Sequence, residues 1–257
     1  MKVCKIIWST NRLEYLIPTL KSQRDMLDFS HCEVEGIFID DMPKGRHDGT
    51  MYELAKMFGY TEVILHQQNM GLPHMWNSTF ELLQQRDYDY VYLSEDDVTF
   101  NQPIKVIDLA QILHDQKTFS QVCLTRQKWY DYEEDTQMLE TDIIFDEKQN
   151  LSTEYRAELS DAYFWSLASF FSRGMADIPH REVVGEKNLS EYVVAASLKK
   201  LGMKTCKLKN SEGKNLVTHI GEYSIGKRAE PGDPRWEDFA AFEPEKKYSS
   251  RHGSKWN

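Results

Sequence analysis

Residues 90–100 read YVYLSEDDVTF. An apolar, β-rich run from Tyr90 to Leu93 drops into three adjacent acids, Glu95, Asp96 and Asp97, and turns apolar again at Val98. Like charges this close repel, so a solvated turn, a cation or raised pKa values must relieve them. The same pattern recurs upstream. VCKIIWS (3–9), CEVEGIFID (32–40) and TEVILH (61–66) read as strands, and each runs into polar residues: Ser9-Thr10-Asn11, Asp40-Asp41 and Gln67-Gln68-Asn69. Helical patterns separate them. One passes through Leu16, Leu20 and Leu27, with Pro18 placed either to open the helix or to kink it. TMYELAKMFGY (50–60) is a short helix closed by Gly59, and NMGLPHMWNSTFELLQQ (69–85) a loop and helix. Strands alternating with helices of this length imply βαβ units, a parallel sheet and the α/β class. Ligands of such sheets sit outside the carboxyl ends of the strands, where these four polar ends would converge.

The second half is less regular. PIKVIDLAQILHD (103–115) and NLSEYVVAASLKKLG (188–202) read as helices, while FSQVCLTR (119–126), YFWSLASFFS (163–172) and MKTCKLK (203–209) read as strands. The aromatic, acidic stretch KWYDYEEDTQM (128–138) has no clear period, and VTHIGEYSIGKR (217–228) reads as a loop. No apolar run approaches the ~20 residues that span a bilayer, and the first residues, MKVCKII, are strand rather than leader. The expectation is a soluble, cytoplasmic protein. Four scattered cysteines without a CxxC pair suit reduced core thiols better than disulfides or a zinc site.

A formal charge of −10 argues against non-specific nucleic-acid binding by the whole surface. The charge is uneven, however: residues 199–257 carry 13 Lys and Arg against 8 Asp and Glu. Six lysines, Lys199, Lys200, Lys204, Lys207, Lys209 and Lys214, fall close together and read either as a solvated face or as a patch for a polyanion or a diphosphate.

Several motifs stand in an order that is familiar. WSTNR with its following helix, IFIDDMP, NMGLPHMWN, YLSEDDV, FFSR followed by GEKNLSEYVVAASLKKLGMK, and VTHIGEYS together resemble the nucleotide-sugar-dependent glycosyltransferases of the GT-A fold, especially the large family-two-like group. The resemblance covers about residues 3–226. It implies a Rossmann-like, mixed and mostly parallel central sheet flanked by helices. It also implies a domain over 1–228, with a nucleotide-binding half (1–100) and an acceptor half (101–228), and an extension or lid over 229–257.

The chemistry it implies can be placed residue by residue. A nucleoside diphosphate sugar leaves as an anion, and a hard divalent cation, Mn2+ or Mg2+, neutralises the departing diphosphate through carboxylate ligands. By resemblance Asp97 touches the metal, Glu95 or Asp96 acts through water or on the ribose, and His219 completes the metal site. Thr10, Asn11, Arg12, Asp40 and Asp41 would line the nucleoside pocket, with Asn69 and Gly71 shaping the loop beside the sugar donor. Arg12 could equally ion-pair at its helix start, and Asp40-Asp41 could form an Asx turn before Pro43. Glu191 at the start of its helix is the candidate general base, with Glu186 the alternative acid. Trp129, Tyr130 and Tyr132 are candidates for stacking on the acceptor.

The expected reaction is sugar transfer from a nucleoside diphosphate sugar, UDP-type favoured, to a saccharide or glycolipid hydroxyl, with inversion. The runner-up acceptor is hydroxymethylated DNA, which some viral glycosyltransferases modify; the protein would then act in the host cytoplasm. A non-catalytic nucleotide- or glycan-binding module is a further reading. A nucleotidyltransferase is disfavoured, because WSTNRLEY lacks a Gly-rich phosphate loop.

Overall fold

The computed structural model describes residues 1–10, 12–41, 49–124, 155–160, 164, 167–187 and 189–221. Asn11, Trp129, Tyr130, Tyr132 and the 229–257 extension therefore lie outside the described residues. In chain order the elements are β1 (Lys2–Ser9), α1 (Leu13–Met26), β2 (Leu27–Asp28), β3 (Glu33–Asp40), α2 (Gly49–Met57), β4 (Glu62–Leu65), α3 (Leu72–Gln84), β5 (Tyr90–Glu95), β6 (Val98–Phe100), β7 (Ile104–Lys105), α4 (Val106–Asp115), β8 (Phe119–Leu124), β9 (Tyr155–Ser160), β10 (Ala168–Ser172), α5 (His180–Val184), α6 (Glu191–Lys200), β11 (Lys204–Asn210) and β12 (Val217–His219). A 3-10 turn over Arg173–Asp177 leads from β10 towards α5.

Eight strands form one sheet in the order β4-β3-β1-β5-β10-β8-β11-β9. The first four are mutually parallel; β10 and β9 are antiparallel to their neighbours, and β11 runs parallel to β8. The sheet is thus mixed and mostly parallel. The alternation of β5 explains how it is sandwiched: Val91 and Leu93 enter one apolar cluster with α3 and α6, while Tyr92 enters the other with α4. Each such side chain contributes about 1.5–3 kcal/mol on full burial. On β1, Trp8 donates from Nε1 to Thr79 Oγ1 of α3 (3.1 Å) and meets Trp76 edge-on at 4.7 Å, which fixes the carboxyl end of the strand.

Three expectations are narrowed or change. Of the two placements read for Pro18, the helix interior holds: it sits inside α1 on the exposed side, where the carbonyl it leaves unbonded can meet water. Of the strand read over 163–172, Ala168–Ser172 is strand among the described residues. Val217–His219, read as loop, is a strand that pairs antiparallel with β6, His219 opposite Val98.

Candidate functional site

Strand order reverses between β1 and β5: the chain builds outward from β1 through β3 to β4, then returns to place β5 on the other side of β1. The crevice at such a switch point is where ligands of α/β sheets bind. It is here that the acidic turn lies, and it is not solvated: Asp96 is 1% and Asp97 3% exposed. Two buried carboxylates are tolerated only when paired and hydrogen-bonded. Asp96 Oδ2 accepts from Thr10 N–H (3.0 Å) and Ser9 Oγ–H (3.2 Å), and both of its oxygens face the Arg12 guanidinium. Arg12 Nη2 also lies 2.8 Å from Asp97 Oδ2. Thr19 of α1 staples the turn, its hydroxyl donating to the Asp96 carbonyl (2.9 Å) and accepting from Val98 N–H (3.0 Å).

Asp97 Oδ2 is 3.1 Å from His219 Nε2, and Ile220 N–H donates to the Asp97 carbonyl (2.8 Å). Asp97 Oδ1 is buried and has no hydrogen-bond partner among the described residues. Burial pushes the Asp97 carboxyl up, but the His219 contact and the Arg12 charge outweigh it and hold the group below the usual carboxylate range. Burial lifts Asp96, with Arg12 pulling the other way. Arg12 would be depressed by its own burial, yet its two carboxylates raise it further above its ordinary value.

A divalent cation can be tested against this arrangement. Among the described residues no three His, Cys, Asp or Glu side chains gather into a cage. Asp97 and His219 nevertheless supply an oxygen and a nitrogen side by side, and Oδ1 is a buried acceptor that no protein donor uses. Two protein ligands with the rest left to phosphate and water is how Mg2+ and related ions are held beside nucleotides, so the residues fit.

Asp40 and Asp41 end β3, and both are buried. Asp41 was expected to hold the nucleoside directly, but the loop has taken its oxygens: Oδ1 accepts from Met70 N–H (2.8 Å), Oδ2 from Gly71 N–H (2.8 Å), and His66 Nδ1 stands 2.9 Å from Oδ1. Asn69 Nδ2–H donates to the Asp41 carbonyl (3.0 Å). Asp41 and the Asn69–Gly71 loop, read as two motifs, are therefore one unit that leads into α3, with Gly71 at φ +78° where a side chain would be strained. His66, which packs edge-on against His74 at 5.1 Å, was missed in the sequence; as the residue following β4 it obeyed the same strand-end rule as the acids. Asp96 is likewise met by protein donors, at the end of β1 and on Arg12. Arg12 takes the ion-pair alternative.

Glu95, half-buried, closes β5, its N–H donating to the Leu167 carbonyl (3.0 Å). Glu191 opens α6, with Ser190 as N-cap accepting from Val193 N–H (3.3 Å). Three residues join α6 to β11, which runs in the direction of β5, so the helix runs counter to the strands and its N-terminus points to the carboxyl edge. Glu186 is exposed, just past Gly185 at the end of α5. The lysine cluster comes apart in space. Lys199, Lys200 and Lys204 lie at the amino edge, Lys207 is buried in β11, and Lys214 pairs with Glu212 at 2.6 Å. They do not form one face towards the crevice.

No protein-family model matches the sequence, and no curated protein does. Solved structures do resemble it. S. aureus TarS superposes with a TM-score of 0.52 at 14% identity, over 86% of this chain and 37% of that one. TarS 1–349 in complex with UDP-GlcNAc gives 0.52 and 14%, over 87% and 62%. GalNAc-T7 with UDP, GalNAc and Mn2+ gives 0.58 and 12%, over 88% and 45%. The fold they share with this chain is the GT-A fold, a mainly parallel, Rossmann-like sheet flanked by helices. The chain spans less than two thirds of the length of each of these structures.

Proposed function

We propose that the protein is a metal-dependent glycosyltransferase that moves a sugar from a nucleoside diphosphate sugar, UDP-type favoured, to an acceptor hydroxyl with inversion. The observation that carries this reading is the contact of buried Asp97 with His219 at the switch point of the sheet, with Asp97 Oδ1 lacking a hydrogen-bond partner among the described residues. Structures of this fold hold UDP with Mn2+ in GalNAc-T7 and UDP-GlcNAc in TarS, which supports the same ligand class here.

In this reading Asp97 and His219 hold a divalent cation, Mn2+ or Mg2+. When bound, the cation neutralises charge on the diphosphate as it leaves. The loop capped by Asp41 and the β1 end at Thr10 line the nucleotide side. Glu191 takes the proton of the acceptor hydroxyl while that oxygen bonds to the anomeric carbon and the bond to the diphosphate breaks. Glu191 stands in the first turn of α6, where the helix dipole favours a negatively charged side chain. The domain spans 1–228, with nucleotide and acceptor halves dividing near residue 100, and the acceptor is a saccharide or glycolipid.

A thermal-shift screen of UDP- and GDP-sugars with and without Mn2+ tests the reading, since a ligand that binds only the folded state raises the melting temperature. The expected result is a nucleotide-dependent shift that needs Mn2+. No shift with any nucleotide sugar would sink the proposal, as would near-wild-type transfer by Asp97→Asn. Glu191→Gln should retain the shift and lose transfer.

A further inference from the structure

Gly221 follows β12 after one residue, and its backbone is not in the left-handed region, so turn geometry does not call for glycine. Space does. A Cβ placed on Gly221 would stand 2.4 Å from Asp97 Oδ2, 3.1 Å from Cγ and 3.2 Å from Cβ. Unbonded heavy atoms prefer about 3.5–4.0 Å. Three consecutive residues thus wrap Asp97: the His219 ring meets its carboxylate, the Ile220 N–H its carbonyl, and the bare Cα of Gly221 the flank of its side chain.

We infer that Gly221 is a positioning residue for Asp97, one whose missing side chain lets the carboxylate keep the orientation in which Oδ2 meets Arg12 and His219 and Oδ1 stays unclaimed. The inference rests on the reading of Asp97 and His219 as metal ligands. A methyl group at 221 cannot be absorbed by an idle swing of Asp97, because the side chain is buried and its Oδ2 is held from two sides. Rotating it out breaks one of those contacts and redirects Oδ1. The β12–β6 pairing lies outside this contact, so the disturbance is local to the carboxylate.

The test is Mn2+ binding to the full chain followed by electron paramagnetic resonance, alone and with UDP. Gly221→Ala should weaken Mn2+ about 10–100-fold, the range seen when groups that orient a ligand are changed. UDP binding in EDTA should not move. Gly49→Ala, where a Cβ meets nothing within 4 Å, should match wild type. Wild-type Mn2+ affinity in Gly221→Ala overturns the inference. Stability supplies a second reading: any loss caused by Gly221→Ala should shrink when Asp97→Ala has already removed Oδ2 and Cγ, the two nearest of the crowded atoms, and an equal loss in both backgrounds also overturns it. Asp97→Asn separates the two levels. If it leaves Mn2+ binding unchanged, the metal reading fails; if it abolishes binding while Gly221→Ala does not weaken it, only the role of Gly221 fails.

Discussion

Two cations are partly buried near β1, and the protein treats them differently. Arg12, just past the carboxyl end of the strand, is clasped by Asp96 and Asp97 and raised above its ordinary pKa. Lys5, in the middle of the strand, makes no ion pair among the described residues and lies 4.6 Å over the Tyr60 ring and 6.0 Å over that of Phe29; burial depresses it to about 8. Ring faces offset only part of the desolvation of an ammonium. One cation is therefore a fixture of the crevice, and the other is a local defect of the core. The lesson is that burial of charge marks a site only where opposite charge has been brought to meet it.

Breaking the Arg12 side should have the largest effect. Arg12→Met leaves two buried carboxylates uncompensated and should destabilise the fold by about 3–5 kcal/mol, read by urea denaturation. Asp97→Asn should be milder for stability, about 1–2 kcal/mol, because Arg12 retains Asp96. Its chief effect is on ligand binding, where the Mn2+-dependent thermal shift should disappear; a retained shift would remove Asp97 from the proposed site.

Lys5→Met should go the other way and stabilise the protein by about 1–2 kcal/mol at pH 7, since similar volume is kept and a desolvated charge is removed. The sign with pH follows from the depressed pKa. Between about 8 and the ordinary 10.5 the unfolded chain binds more protons than the folded one, so wild-type stability rises across that window. The advantage of Lys5→Met should shrink accordingly between pH 8 and 10.5, and a pH-independent difference would contradict the assignment. The smallest effect is expected at Gly71→Ala, about 1 kcal/mol or somewhat more from strain at φ +78°, with weakened nucleotide binding as the loop shifts off Asp41.

Much of this was legible in the sequence. The strands β1, β3, β4 and β5 follow from apolar runs with polar ends, and the spacing of helices between them made the parallel half of the sheet nearly unavoidable. Motif order also brought Asp97 and His219 forward as one candidate pair. Which of two adjacent acids turns inward was not legible: Asp41 and Asp96 face protein donors because of the local pleat and turn, and those donors lie at Met70, Gly71 and Arg12, residues distant in sequence. The lysines misled for a related reason. A helix, a turn and a strand carry neighbours in sequence to opposite edges of a sheet, and Lys207 is buried in the middle of β11, between β8 and β9, while Lys204 and Lys209 near the strand's two ends stay more accessible. Nor could three residues at 217–219 announce a strand whose partner among the described residues is the equally short β6.

That short ribbon has a consequence for how the protein comes into being. Its two strands bring together the acid and the histidine of the proposed metal site from distant parts of the chain, and nothing nearer in sequence substitutes for the second strand. During synthesis the parallel strands and the acidic turn can be in place while the histidine is still unmade. A chain stopped before Val217 would carry the crevice, the arginine and the carboxylates, and lack the ring that completes the pair. The proposed metal site is thus completed only when β12 docks against β6.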